Sequence, residues 1–256
     1  EKTQIIDGTA RFVDDHTVAV DTAEGEKIFK ADRIFINTGA TPFVPLVEGL
    51  TIGGAIHTSE TIMNLEEYPE SLVIIGSGFI GLEFAATYAQ FGTKVTVIDV
   101  IDAFLPREDE DVAQAVKEQL EALGVTFNLG VQLKAVHQEG GKAVVEATTG
   151  EGAPVAFTAD AVLVATGRRA NVQGLDLDKA GVELTERGAI KVNEFLQTNV
   201  PHIFAMGDVN GGPQFTFVSL DDFRIVKRFL AGDTTYSTKQ RAKFPTATFI
   251  NPPLAS

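Results

Sequence analysis

The chain has 256 residues, 44% of them hydrophobic, which allows two modest domains with cores of their own. Its formal net charge of −14, from 21 Lys and Arg against 35 Asp and Glu, argues against a nucleic-acid partner. With no cysteine in the sequence, disulfides, thiolate metal sites and thiol chemistry by these residues are excluded.

Residues 1–40 read as short antiparallel strands with turns at Asp7-Gly8, Asp14-Asp15 and Glu24-Gly25, closing on the apolar run Ile34-Phe35-Ile36. Pro42, Pro45 and Gly49 then mark a crossing linker. From Ser71 the pattern becomes α/β: a strand over 72–75, the turn Gly76-Ser77-Gly78-Phe79-Ile80-Gly81, a helix over 80–91 stopped by Gly92, and a strand over 95–98. A second helix is predicted over about 109–123, with acids in its first turn and Gly124 after its end. It leads to a strand over 125–129, an alternating β-meander around 133–136 and 144–155, and a strand over 162–165. Strands separated by helices predict a parallel sheet wound right-handedly. After Gly167 the chain is loop-rich up to a short strand at 203–206 and a helix over 216–230. These last pieces pair most economically with residues 1–40, so one domain interrupts the other. Extended patterns at both ends, from Lys2 to Phe12 and from Phe244 to Phe249, predict that the chain is a fragment of a longer protein. No run reaches the roughly 20 apolar residues of a membrane helix, and residue 1 begins in a polar stretch without a charged and apolar leader. The expectation is a soluble, cytoplasmic protein without a membrane partner.

The sequence carries one strand-and-turn phrase twice, ending in Thr38-Gly39 and in Thr166-Gly167, on either side of the glycine turn. Buried strands ending in Thr-Gly around a glycine-rich turn point to two nucleotide-binding units and so to two cofactors. In the turn, Gly76 permits the tight bend, Gly78 leaves room for a pyrophosphate, and Gly81 lets the helix lie against the strand, while the helix N-terminus offers N–H donors. Asp99 ends the next strand near the roughly 20-residue offset of a ribose-binding acid. No arginine stands between Asp99 and Pro106, which favours NADH over NADPH, although Arg107 is near enough to swing in. A purely structural turn and a solvated strand-end carboxylate are the alternatives. Glu108-Asp109-Glu110-Asp111 is read as helix-dipole chemistry and not as a metal site. His16, His57, His137 and His202 are scattered and read as structural or surface groups, so no metal is expected.

Three segments, G-S-G-F-I-G-L-E-F-A at 76–85, A-T-G-R-R-A-N at 165–171 and I-F-A-M-G-D-V at 203–209, resemble the flavoprotein (pyridine nucleotide) disulfide reductases, the family of dihydrolipoamide dehydrogenase, glutathione reductase and mercuric reductase. The segments 212–226 and 251–254 are most similar to its reactive-chlorine-resistance (hypothiocyanous acid reductase) branch. The resemblance implies an α/β fold of two Rossmann-like domains of three-layer β/β/α type, with a nicotinamide domain inserted into an incomplete FAD domain. The boundaries expected are 1–46 and 169–243 for the FAD domain, 47–168 for the NAD(P) domain, and 244–256 for the start of a dimerisation domain.

By the same resemblance, Asp208 would bond the ribityl chain of FAD, Gln214, Phe215, Thr216 and Phe217 would line the flavin, and Ala10, Thr38 and Gly39 would border its adenine side. On the NAD(P)H side the expected residues are Gly76, Gly78, Phe79, Ile80, Gly81, Glu83, Asp99, Leu133 and Gly167. Glu83 is the implied catalytic residue, because the matching glutamate of the family pairs with a lysine beside the flavin; no lysine of this sequence can be assigned to it. An exposed helical glutamate is the alternative. Phe79 stands where the family often has tyrosine, and Ala170 replaces a proline after the twin arginines. The cysteine pair, the first FAD glycine motif and the catalytic histidine of the family are not among these residues. The implied activity is that of a longer homodimeric NAD(P)H-dependent FAD oxidoreductase acting on a small disulfide, oxidised thiol or metal substrate, with this chain alone inactive. An NADH oxidase or ferredoxin reductase-like flavoenzyme and a nucleotide-binding module without catalysis are the rivals.

Overall fold

The apolar, β-branched run between Ser71 and Gly76 forms the central strand, Ser71–Ile75, of a five-stranded parallel sheet in a computed structural model that describes residues 3–241 and 243–255. Lys2, where the first extended pattern was expected to begin, lies outside the described residues; the first strand described is Thr9–Phe12. The chain divides into two units, one built from residues 1–41 and 168–243 and the other from 42–167 and 244–256. The division falls at Thr41, where the sequence reading set it at 46. Residues 244–255, expected to start a separate domain, group with the inserted unit.

In the inserted unit the sheet order is Ile56–Thr58, Ala161–Val164, Ser71–Ile75, Lys94–Ile98, Thr126–Asn128. Alternation along the strands gives two buried faces. Leu72, Ile74, Val95, Val97 and Leu163 pack against helices α1 (Phe79–Gln90) and α2 (Glu110–Ala122) through Leu82, Ala85, Val116 and Leu120. Val73, Ile75, Ile98, Val162 and Val164 pack on the other side against Val136, Ala143, Val145 and Ala159. Val136, Ala143, Val145 and Ala159 all belong to the antiparallel meander Gln132–Glu139, Lys142–Thr148, Pro154–Ala159. Meander, sheet and helices are the three layers. The ends of the insertion meet: Phe43 N–H donates to Gly167 O at 2.9 Å, and Thr166 Oγ to Phe43 O at 2.7 Å. A short hairpin, Ala247–Thr248 with Leu254–Ala255, places Ile250 and Leu254 in the helix-side core.

Asp160 ties the meander's end to the central strand. Its carboxylate accepts from Ser71 N–H (2.9 Å) and Ser71 Oγ–H (2.6 Å) and pairs with Lys142 Nζ at 2.8 Å. The Lys142 ammonium first, then the Ser71 hydroxyl, hold its pKa down at about 2. A carboxylate whose folded pKa lies below its unfolded value stabilises above the unfolded value, and the contribution is lost as pH falls through the folded one. The pair is open to solvent, with side chains 50% and 28% exposed, so screening reduces its worth. Asp160→Asn is expected to lower the unfolding free energy by about 1 kcal/mol at neutral pH, with the difference vanishing between about pH 4 and pH 2. Denaturant melts at several pH values check this; a difference that stays constant down to pH 2 contradicts it.

The outer unit has a three-stranded antiparallel sheet, Thr9–Phe12, Thr17–Thr22 and Gly25–Lys30. Ile203–Ala205 pairs in parallel with Ile34–Ile36. Phe12, Ile36, Val182, Ile190, Ile203 and Val209 form its core, and helix α3 (Thr216–Leu230) adds Ile225 and Val226 against Phe204. The fold is α/β, with the inserted unit a Rossmann-like three-layer domain.

Candidate functional site

The glycine turn of the inserted unit joins the central strand to α1. Gly76 has φ +111°, and a Cβ there would stand 2.5 Å from Ala165 O. A Cβ on Gly81 would stand 2.1 Å from Gly76 O, so the first turn of α1 rests directly on the strand end. Gly78 caps α1, and the space where its side chain would be is open. The first turn carries neither an acidic residue nor a side-chain cap. The first N–H groups of a helix have no acceptor within it, so this terminus is suited to an anion.

Asp99 closes the turn from the neighbouring strand. Its Oδ2 accepts from Ser77 N–H (2.6 Å) and Ser77 Oγ–H (2.7 Å), and its Oδ1 from Ile101 N–H (2.9 Å). Gly76, Gly78, Gly81 and Asp99 are therefore one cluster, and Ser77, which sequence reading passed over, is its link. Phe79 is exposed and Ile80 half-buried at the mouth of the turn. Gly167 (φ +112°) sits beyond the strand end that Gly76 approaches. Leu133 is half-buried next to a bulge in the meander and packs with the core on that side of the sheet.

Glu83 lies on α1, half-buried, beside an apolar groove of about 490 Å³ lined by Ile62, Leu65, Tyr68, Phe84 and Tyr88. Its Oε1 accepts the Phe249 N–H at 2.8 Å, which pins the 247–255 hairpin to α1. A structural task thus stands beside the expected catalytic one, and glutamine keeps the acceptor oxygen while alanine does not. Glu83→Ala is expected to raise amide exchange in the 247–255 hairpin about fivefold and Glu83→Gln to leave it near the parent rate, a difference of one hydrogen bond, about 1 kcal/mol. Equal exchange in the two variants, read by mass spectrometry, rules the anchor out.

In the outer unit, Thr38 and Gly39 are stitched to Asn171. Thr38 Oγ donates to Asn171 O (2.6 Å), Asn171 N–H to Gly39 O (2.9 Å) and Asn171 Nδ2 to Thr38 O (3.2 Å). Asp208 is half-buried in the helical turn Gly207–Asn210, and its carboxylate has no partner among the described residues. Gln214, Thr216 and Phe217 are exposed around the start of α3, and the rings of Phe215 and Phe217 stack at 5.1 Å. Ala10 is exposed on the outer-unit sheet, where it pairs with Val20.

Two histidines that are remote in sequence come together here: His16 and His202 stack with centroids 3.8 Å apart and planes 4° from parallel. With Asp15 they are the group close enough to share an ion among the described residues. One ion cannot lie in the planes of two parallel rings, and each ring already contacts a backbone carbonyl, His16 Nδ1 that of Ala31 (2.9 Å) and His202 Nε2 that of Asp15 (2.7 Å). The group is a packing contact. His57 is buried on the edge strand, and burial pushes its pKa down. Asp109 stands at the N-terminal boundary of α2 without a side-chain capping bond, with Glu110 and Asp111 in the first turn.

Comparison with known proteins adds a consistent picture. The family described as pyridine nucleotide-disulphide oxidoreductase matches residues 1–222. The chain is 40% identical over 251 residues to the Escherichia coli (strain K12) protein named "Probable pyridine nucleotide-disulfide oxidoreductase RclA", covering 98% of this chain and 56% of that one. It is 35% identical over 252 residues to a dihydrolipoyl dehydrogenase of Mycobacterium bovis, covering 98% and 54%. Among solved structures, the HOCl-induced flavoprotein disulfide reductase RclA from Escherichia coli superposes with a TM-score of 0.92 at 38% identity, over 98% of this chain and 56% of that one. The chain spans about half the length of these relatives.

Proposed function

As the chain belongs to the pyridine nucleotide-disulphide oxidoreductase family, we propose that it serves an NAD(P)H-dependent FAD oxidoreductase whose acceptor is a disulfide, an oxidised thiol or a metal ion. The observation that carries the reading is the Gly76–Gly81 turn with Asp99 bonded to Ser77. When bound, the nicotinamide would supply a hydride, two electrons together with a proton, for transfer to the flavin.

The first turn of α1 and the open space at Gly78 would hold the pyrophosphate of NADH. Asp99 would take the adenosine ribose. A carboxylate offers about four lone-pair directions, and Ser77 and Ile101 use three of those of Asp99. A ribose diol needs two, so the Ser77 hydroxyl is the donor that gives way. A 2′-phosphate would meet the same carboxylate charge to charge. Phe79 and Ile80, at the mouth of the turn, would border the nucleotide, and Glu83 would act on the nicotinamide side. In the outer unit, the unpartnered carboxylate of Asp208 fits a polyol chain, with Thr38, Gly39, Ala10 and the Gln214–Phe217 backbone as further FAD contacts. The lack of cysteine favours a second reading for these residues by themselves, a nucleotide-binding module that passes electrons to thiols supplied elsewhere.

Calorimetric titration of the chain with NADH and NADPH tests the nicotinamide half. NADH is expected to bind at least about tenfold more tightly, a difference of about 1.4 kcal/mol, and Asp99→Ala to shrink the ratio toward unity. Equal affinities in the parent chain overturn the NADH preference.

A further inference from the structure

Asp222 is a charged side chain inside the outer unit, 2% exposed, and nothing in the proposed chemistry uses it. A buried carboxylate is costly unless it is paired and hydrogen-bonded. Here Oδ2 accepts from Gly207 N–H at 2.8 Å and from Asn210 Nδ2 at 3.0 Å, and Oδ1 pairs with Arg241 Nη2. Arg241 is itself fixed: its Nε donates to Asp221 Oδ2 at 2.7 Å, and Asp221 Oδ1 accepts the Tyr236 hydroxyl at 3.0 Å. Arg241 and Asp221 are largely buried, with side chains 14% and 17% exposed.

Both groups that donate to Oδ2 belong to the turn that carries Asp208. Asn210 extends the hold, its Nδ2 reaching Ala205 O at 3.3 Å and its Oδ1 accepting Gly212 N–H at 2.8 Å. Gly207 bends with φ +71° where a Cβ would come within 2.9 Å of Asn37 Oδ1 and Ser219 Oγ, so the turn is clamped from several sides and tied down by one carboxylate. Arg241 is shared between Asp222 and Asp221, and Asp208, the carboxylate of the turn itself, has no partner among the described residues.

We propose that Asp222, held by Arg241, is a positioning residue that fixes the Gly207–Asn210 turn so that Asp208 meets the polyol chain of FAD. The inference rests on the reading of Asp208 as an FAD contact. Asp222 touches no cofactor; it acts through the amide of Gly207 and the side chain of Asn210. The cost of its burial is offset by three charge-assisted bonds, two of which are spent on the geometry of one turn.

The test uses the chain with Asp222→Ala, Asp222→Asn, Arg241→Met and, as a reference, Asp208→Ala. Amide exchange of peptides covering residues 203–212 is read by mass spectrometry without cofactor, and FAD affinity by quenching of flavin fluorescence. Asp222→Ala and Arg241→Met are expected to speed exchange in this segment at least tenfold relative to the 9–30 strands, and to raise the FAD dissociation constant about tenfold. Asp222→Asn keeps an acceptor for Gly207 N–H and is expected to recover part of both losses. A uniform rise in exchange over the outer unit, or unchanged exchange at 203–212, overturns the proposal. So does unaltered FAD affinity in Asp222→Ala where Asp208→Ala weakens binding. If Asp208→Ala itself leaves FAD affinity unchanged, the reading of Asp208 fails, and the proposal with it. Should Asp222→Ala not fold, the near-isosteric Asp222→Asn carries the comparison, with exchange expected between the parent rate and that of Arg241→Met.

Discussion

Replacing Gly81 by alanine is expected to remove measurable NADH binding and to destabilise the inserted unit. The new Cβ would stand 2.1 Å from Gly76 O and 3.3 Å from Ile74 Cγ2, both parts of the central strand and its turn. Backbone atoms cannot rotate aside, so α1 must lift from the sheet, and Leu82, Ala85 and Ala86 lift with it from the helix-side core. Overpacking of this kind costs about 1–3 kcal/mol. The N–H groups of the first turn that would hold the pyrophosphate move with the helix, so the anion site is displaced as well. Gly78→Ala separates the two effects. Its Cβ meets nothing within 4 Å, and the residue already has φ −73°. Folding should survive while the methyl group occupies the space assigned to the pyrophosphate. Thermal melts and nucleotide titrations of both variants check the pair of expectations; Gly81→Ala binding NADH as the parent does would overturn the first.

The second large effect is an absence of turnover. Purified residues 1–256, supplied with FAD, NADH and a small disulfide, are expected to show no disulfide-dependent NADH consumption. No thiolate is present to take electrons from reduced flavin, since the sequence has no cysteine. FAD itself is expected to bind weakly. Among the described residues the one long helix of the outer unit, α3, starts after Phe215 without a glycine turn, so its N-terminus does not reproduce the phosphate cradle of α1. Absorbance at 340 nm follows the nicotinamide and a visible spectrum after gel filtration follows the flavin. Stoichiometric retained flavin, or NADH loss that needs the disulfide, would contradict this expectation.

The parts of the fold that were legible share local causes. Ser71–Ile75, α1 and Lys94–Ile98 announce themselves because a buried β-branched strand, a glycine turn and a helical period follow one another within thirty residues. α3 matched its predicted bounds through the same periodicity. Ile56–Thr58 was missed: it is three residues long, carries His57 at its centre, and becomes a strand only because Ala161–Val164 pairs with it. The meander was blurred for a similar reason, since its three strands gain their register from one another. At the site, Gly76, Gly78 and Gly81 could be read from spacing, because a steric requirement is written into the residue type. The hold of Asp99 on Ser77, of Glu83 on Phe249 and of Asp222 on Gly207 could not, because each is a side chain reaching a backbone amide. Such a bond leaves no mark on the partner's identity. The stack of His16 and His202 was hidden by the long stretch of sequence that separates them.

The junction at Phe43, Thr166 and Gly167 has a consequence for the order in which the chain acquires structure. The strands Ile34–Ile36 and Ile203–Ala205 must find each other across more than 160 residues, and a flexible loop of that length resists closure. Once the inserted unit has folded, its two ends are joined by hydrogen bonds, and the span that remains to be closed shortens to a few tens of residues. By the logarithmic dependence of closure entropy on length, that shortening is worth roughly 1 kcal/mol. If the inserted unit folds first, the closure cost that remains for pairing Ile34–Ile36 with Ile203–Ala205 is lower by that amount.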